Sequence, residues 1–172
     1  MIRRCVSVDE PGWLALREAL WPECPREEHL TEMACFCANP ERHVQFVAYP
    51  EPGIAAGLVE AAIRTDHVNG THTAPVAFLE GLYVIPEARR QGIARALVAE
   101  VERWAVDMGC RELASDALLE NQTSHAAHRA LGFEETKRVV FFRKALKQAG
   151  SFPNEIHSHL RQSRISHHDE IE

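Results

Sequence analysis

Apolar and polar residues along the chain change period several times, and each change predicts an element. "IRRCVSV" (2–8) alternates and is rich in β-branched residues, which predicts a first strand. Asp9 is placed to cap a helix that has Pro11 in its first turn and runs to about Leu20. The prolines of "WPECP" (21–25) break it. In "REEHLTEMACFCA" (26–38), Leu30, Met33, Ala34 and Cys37 share one face, which predicts a second helix ended by Asn39-Pro40. "HVQFVAYP" and "GIAAGLVEAAIR" read as two strands of a hairpin around "EPG". The polar stretch 65–75 is a loop. "VAFLEGLYVI" (76–85) is a further strand interrupted at Glu80-Gly81, and glycine inside a strand often marks a bulge or a close ligand approach.

The clearest periodicity lies in "RQGIARALVAEVERWAVDMG" (90–109), where Ile93, Leu97, Val98, Val101, Trp104 and Ala105 form one stripe and Gly109 is the stop. "CRELASD" (110–116) predicts a short strand, "ENQTSHAAHRALGF" a helix ending at Gly132, and "TKRVVFFRKAL" a last strand. The order β-α-α-β-β-β-α-β-α-β implies an α/β domain, a mixed and mostly antiparallel sheet with helices on its faces. The segment 76–116 is expected to be a right-handed crossover between parallel strands. The division is a domain over 1–147 and a polar C-terminal extension over 148–172.

Composition adds exclusions. The 172 residues suit one domain, and 45% apolar content is enough for a core. No run is long enough for a membrane span, and "MIRRCVSVDE" lacks a signal-peptide core. A net charge of −6 argues against nucleic acid as the main partner and suits a cationic substrate. Five cysteines without framework spacing imply reduced thiols and a cytoplasmic setting. Cys35 and Cys37 stand too close for a zinc knuckle and read as buried helix residues. His157, His159, His167 and His168 in the tail impose no ligand geometry, and no metal site is expected.

The candidate chemistry starts at "RRQGIA" (89–94), where an apolar strand gives way to the longest helix. A helix start presents unpaired N–H groups and partial positive charge. Gly92 and Ala94 let a phosphate approach, and Arg89 and Arg90 add charge that can grip a diphosphate. The alternative is an ordinary helix start with solvated arginines. Neither a Walker lysine nor G-x-G-x-x-G is present, which disfavours a nucleoside triphosphate or a dinucleotide.

"LEGLYVIPEARRQGIARAL" resembles the acyl-CoA motif of the GCN5-related N-acetyltransferases, R-x-x-G-x-A/G after a strand, and "NQTSHAAHRALGF" resembles their second signature. Within that superfamily, "LWP", "VNG", "PVAFLEGLYV", "ASD", "SHAAHRALGF" and "EETKRVVFF" resemble type I aminoglycoside 6'-N-acetyltransferases. The likeness spans residues 1–145 and implies the acyl-CoA N-acyltransferase fold with acetyl-CoA as donor. It implies a diphosphate on the N–H groups of Arg90, Gln91, Gly92, Ile93, Ala94 and Arg95. It implies pantetheine beside Leu82, Tyr83 and Val84, paired like an added strand, with Asn121 nearby.

On the acceptor side, Glu80 interrupts an apolar strand. It either binds a substrate ammonium and takes its proton or is an outward-facing strand residue. Asp116 either binds a second ammonium or caps a helix. Trp21 either covers a cationic sugar or packs a helix onto the sheet. His128 stands where many relatives carry tyrosine, as a thiolate-protonating acid or a surface histidine. His67 replaces an aromatic before "VNG", and Lys137 replaces an acidic residue after "EET". Both belong to the expected acceptor site, where a cation disfavours polycationic drugs.

The implied function is direct acetyl transfer to the 6'-amine of an aminoglycoside, in a homodimer to which "KRVVFFRKAL" contributes. The alternatives are acetylation of another amine, such as a polyamine or protein terminus, and a non-catalytic acyl-CoA-binding module.

Overall fold

A computed structural model describes residues 1–146. Five strands form one sheet in the order β1-β2-β3-β4-β5: β1 (Ile2–Arg4), β2 (His43–Ala48), β3 (Gly57–Arg64), β4 (Val76–Val84) and β5 (Leu113–Ala114). The first four pair antiparallel and β5 pairs parallel to β4, which is the mixed sheet the sequence predicts. Helices α1 (Trp13–Leu20) and α2 (Arg26–Ala38) lie between β1 and β2, α3 (Ile93–Asp107) connects β4 to β5, and α4 (Gln122–Leu131) follows.

The alternation of β2, β3 and β4 divides the core in two. Val44, Val59, Ala61, Ala77 and Leu79 meet Leu97, Val101 and Trp104 of α3 on one face. Val47 and Leu58 meet Trp13, Leu16, Met33 and Phe36 of α1 and α2 on the other. The expected stripe of α3 is the buried one: Leu97, Val98, Val101, Trp104 and Ala105 are all buried.

Several expectations need correction. The first helix starts at Trp13, beyond Pro11, and its N-cap is Gly12 with no side-chain cap; Asp9 instead accepts from the Ser7 hydroxyl. The buried face of α2 is His29, Met33 and Phe36, while Leu30, Ala34 and Cys35 are exposed, because α2 turns a polar residue, His29, toward a buried arginine on α1. The strands expected over 2–8 and 110–116 shrink to three and two residues. The last strand expected within 136–146 does not form. Those residues carry no regular structure, and Val140, Phe141, Phe142 and Leu146 stand exposed with no strand partner to cover them. The tail histidines and the extension lie outside the described residues.

Candidate active site

The site begins at an irregularity in β4. Opposite β3 the register runs Glu60↔Gly81 and then Ala61↔Leu79, so Glu80 is the extra residue of a β-bulge. A bulge re-aims side chains and weakens pairing. β5 stays beside β4 only at Ala77 and Phe78, so from Leu79 to Val84 that edge of β4 pairs with no strand among the described residues. Ser115 spans the opening with a long contact, 3.5 Å to the Leu79 carbonyl. The backbone of Leu82, Tyr83 and Val84 lies along this unpaired edge.

Beyond this edge the chain makes a 3-10 turn (Pro86–Ala88) and enters α3 through Arg90 at φ 57° and Gly92 at φ 82°. Both left-handed residues turn the backbone so that the helix starts without a side-chain cap. A Cβ on Gly92 would meet nothing within 4 Å, so the helix end faces open space. Arg90 and Gln91 are exposed, Ile93 and Ala94 half-buried. Two arginines have structural uses as well. Arg89 Nε donates to the Val84 carbonyl at 3.0 Å, and Arg95 donates to the Ala130 carbonyl at 2.7 Å, tying α3 to the end of α4. Gln91 donates to the Glu87 carbonyl at 3.1 Å. Asn121 is the N-cap of α4, its Oδ1 accepting from Ser124 N at 2.9 Å.

On the α1–α2 face, Glu80 lies half-buried beside Arg64, whose guanidinium donates to both carboxylate oxygens at 3.0 and 3.2 Å. That guanidinium also stacks on the Phe78 ring, 3.6 Å from its centroid. Trp21 is buried against the bulge: a Cβ added at Gly81 would sit 2.8 Å from its ring. Its ring is also packed on Arg17, at 4.9 Å, and on His29, at 6.4 Å. Trp21 therefore packs its helix onto the sheet at the very residue that follows Glu80.

Beneath Trp21 is a buried polar network. Arg17 Nη1 reaches Glu60 Oε1 and Oε2 at 2.8 and 2.6 Å, Trp13 Nε1 donates to Glu60 Oε1 at 2.7 Å, and Arg17 also pairs with Glu32. Arg17 Nε donates to His29 Nδ1 at 3.3 Å. Burial, then the charge of Arg17, hold the His29 pKa below its ordinary value.

Asp116 follows β5 and has a buried Oδ1. It does not cap α4, because Asn121 does. His128, on α4, places Nδ1 2.7 Å from the Ser124 carbonyl and Nε2 2.9 Å from Ser115 Oγ. With Nδ1 donating to the carbonyl, the neutral ring accepts the Ser115 proton at Nε2. It is thus tied to the β5 end and is not a loose surface histidine. Loop 65–75 meets the segment after α4 where Gly70 lies directly against Thr136, bringing the stretches that hold His67 and Lys137 together.

Sequence reading missed Arg64, Ser115 and the Arg17–Glu60 pair. Glu60 carried a signal, since a carboxylate interrupting the apolar run "GLVEAAI" raises the same question as Glu80. Arg64, at the end of a strand, carried none.

An unpaired strand edge, followed by a helix N-terminus without a side-chain cap and flanked by arginines, suits an extended amide chain ending in a diphosphate, as an α/β protein that uses acyl-CoA requires. The model of the acetyltransferase (GNAT) family matches residues 13–133. Aminoglycoside N(6')-acetyltransferase type 1 of Acinetobacter baumannii is 54% identical over 132 residues, covering 77% of this chain and 89% of that protein. The type 1 enzyme of Serratia marcescens is 49% identical over 146 residues, covering 85% and 99%. The solved structure of AAC(6')-Iy in complex with the bisubstrate analogue CoA-S-monomethyl-acetylneamine superposes with a TM-score of 0.80 at 42% identity, covering 85% of this chain and 98% of that one. The chain belongs to the acetyltransferase (GNAT) family and has its fold.

Proposed function

We propose that the protein transfers an acetyl group from acetyl-CoA to the 6'-amine of an aminoglycoside. The observation that carries this reading is the bulge at Glu80. It sets a carboxylate on one face of β4 close to where β4 and β5 stop pairing, the edge along which we run the donor. The similarity to type 1 aminoglycoside N(6')-acetyltransferases supports the choice of acceptor.

Acetyl-CoA supplies an acyl thioester. The chain's own residues do the rest. N–H groups of residues 90–95 bind the diphosphate, with Arg89 and Arg90 adding charge. The edge of β4 at Leu82, Tyr83 and Val84 orients the pantetheine, and a backbone N–H near Val84 polarises the thioester carbonyl. Asn121 holds the start of α4 beside that path. Glu80 and Asp116 bind acceptor ammonium groups, and Glu80 takes a proton from the attacking amine, directly or through water. Trp21 forms the floor of the acceptor side, with His67 and Lys137 at its rim. When protonated, His128 gives its Nε2 proton to Ser115 as the Ser115 hydroxyl passes its own proton to the departing thiolate, so the proton balance closes on a neutral imidazole.

We place the enzyme in the cytoplasm, a setting that suits its five free cysteines. It acts as a homodimer, a second copy covering the exposed apolar side chains of 139–146; Phe142 alone is 93% exposed. Sedimentation should give a dimer that Phe142→Asp dissociates; a monomeric parent chain rejects this assembly.

The decisive assay is thiol release over a panel of aminoglycosides with and without a 6'-amine, polyamines and peptides. Turnover confined to 6'-amines is expected. Turnover only with polyamines or peptides overturns the acceptor, and acetyl-CoA binding without thiol release makes the protein a binding module. Glu80→Gln should cut kcat by on the order of 10²-fold while sparing acetyl-CoA affinity.

A further inference from the structure

Glu80 already has a cationic partner. The Arg64 guanidinium donates from a single nitrogen to both of its oxygens and sits over the Phe78 ring, its Cζ 3.6 Å from the centroid. Glu60, Arg64 and Glu80 belong to the same face of the sheet, yet only Glu60 is locked in a fully buried pair, with Arg17. The Arg64–Glu80 pair is softer: the Arg64 side chain is 34% exposed and the Glu80 side chain 12%. Arg64 sits at the end of β3, paired in register with Val76, so its side chain must reach along β4 to meet the bulge. A long, partly solvated side chain held by one nitrogen and a ring stack can leave the carboxylate and keep the stack.

We propose that Arg64 is a specificity-determining residue: it occupies the Glu80 carboxylate before the acceptor arrives, and the acceptor's ammonium has to take its place. This rests on the reading of Glu80 as the ammonium-binding carboxylate. Two cations cannot share both oxygens of one half-buried carboxylate at contact distance without like-charge repulsion. The internal guanidinium therefore acts as a tethered competitor. A lone weakly bound amine loses to it, because the tether gives Arg64 a high local concentration. An acceptor with several ammonium groups wins, because it can also engage Asp116, two residues beyond the end of β5. The chain thus selects polycations over simple amines with one ion pair, without a steric gate.

The test is steady-state kinetics on the full chain with a 6'-amino aminoglycoside, together with calorimetry of the same compound binding without donor. Arg64→Met keeps an apolar stem over Phe78 and removes the charge; Arg64→Gln is a second route should the first disturb folding. Both should lower the acceptor KM and Kd, by up to about fivefold for a partly exposed pair, with the acetyl-CoA KM unchanged. Arg64→Lys should stay near the parent values. In a Glu80→Gln background, Arg64→Met should change nothing. An unchanged or raised acceptor KM in both Arg64→Met and Arg64→Gln overturns the competition and leaves Glu80's role standing. If Glu80→Gln alone leaves acceptor kinetics intact, the functional reading of Glu80 fails, and this inference with it.

Discussion

The two halves of the proposed site are made of different materials. The donor half is backbone: an open strand edge from Leu79 to Val84 and a helix start turned by Arg90 and Gly92. The acceptor half is side-chain charge: Glu80 and Arg64 at the bulge, over a buried Arg17–Glu60 pair. Backbone groups can hold one invariant ligand and tolerate many side chains around it. Charged side chains can be exchanged one at a time, so specificity for the acceptor belongs there. The two halves should therefore fail differently when altered.

The largest effect is expected from the acceptor half's foundation. Arg17→Met removes both Arg17 hydrogen bonds from the buried Glu60 carboxylate, leaves the one from Trp13 Nε1, and strips the cation from beneath Trp21. Breaking a buried pair from one side costs about 3–5 kcal/mol. Chemical denaturation should show that loss, and acceptor KM should rise in whatever fraction folds, while acetyl-CoA still binds. Equal damage to both substrates would mean that the network supports the whole fold and not one half of the site.

The donor half should give a smaller and opposite pattern. Gly92 is left-handed and a Cβ there meets nothing within 4 Å, so Gly92→Val costs about 1–2 kcal/mol, mainly backbone strain. Its side chain would fill the space a diphosphate needs. The acetyl-CoA KM should rise by about tenfold with the acceptor KM unchanged. An unaltered acetyl-CoA KM removes the α3 start from the donor site.

The same division explains what the sequence made legible. The donor half is local. A strand, a broken strand, two arginines, a glycine and a long amphipathic stripe follow one another within thirty residues, and each is a rule about adjacent positions. The bulge was visible too, as Glu80-Gly81 inside an apolar run. The acceptor half joins residues 17, 29, 60, 64 and 80, which only the folded sheet brings together. No periodicity encodes that Arg64 reaches Glu80, or that His29 faces Arg17. The α2 stripe was misjudged for that reason: hydropathy favoured Leu30, whereas the partner on α1 called for His29. The missing last strand has a related cause. "KRVVFFRKAL" has the composition of a strand, but a strand also needs an edge to pair with, and composition does not say whose edge it is.

The smallest expected effect is in pH dependence, and it sharpens the comparison because the buried His29 belongs to the acceptor half. His29 is fully buried, and burial and Arg17 lower its pKa in the folded protein. Unfolded, it titrates near the usual value of about 6.5. Above that pH both states hold His29 neutral, and it contributes no pH dependence. As pH falls through the unfolded value, the unfolded chain takes up a proton that the folded chain resists, so stability drops; the drop ends once pH passes below the folded value. Thermal melts of the parent chain should therefore lose stability below about pH 6.5 more steeply than those of His29→Gln, which keeps an acceptor for Arg17 Nε without a titrating ring. The two curves should run parallel above pH 7. Parallel curves throughout would mean that His29 takes its proton in place, and the network beneath Trp21 would then bind a second positive charge beside Arg17.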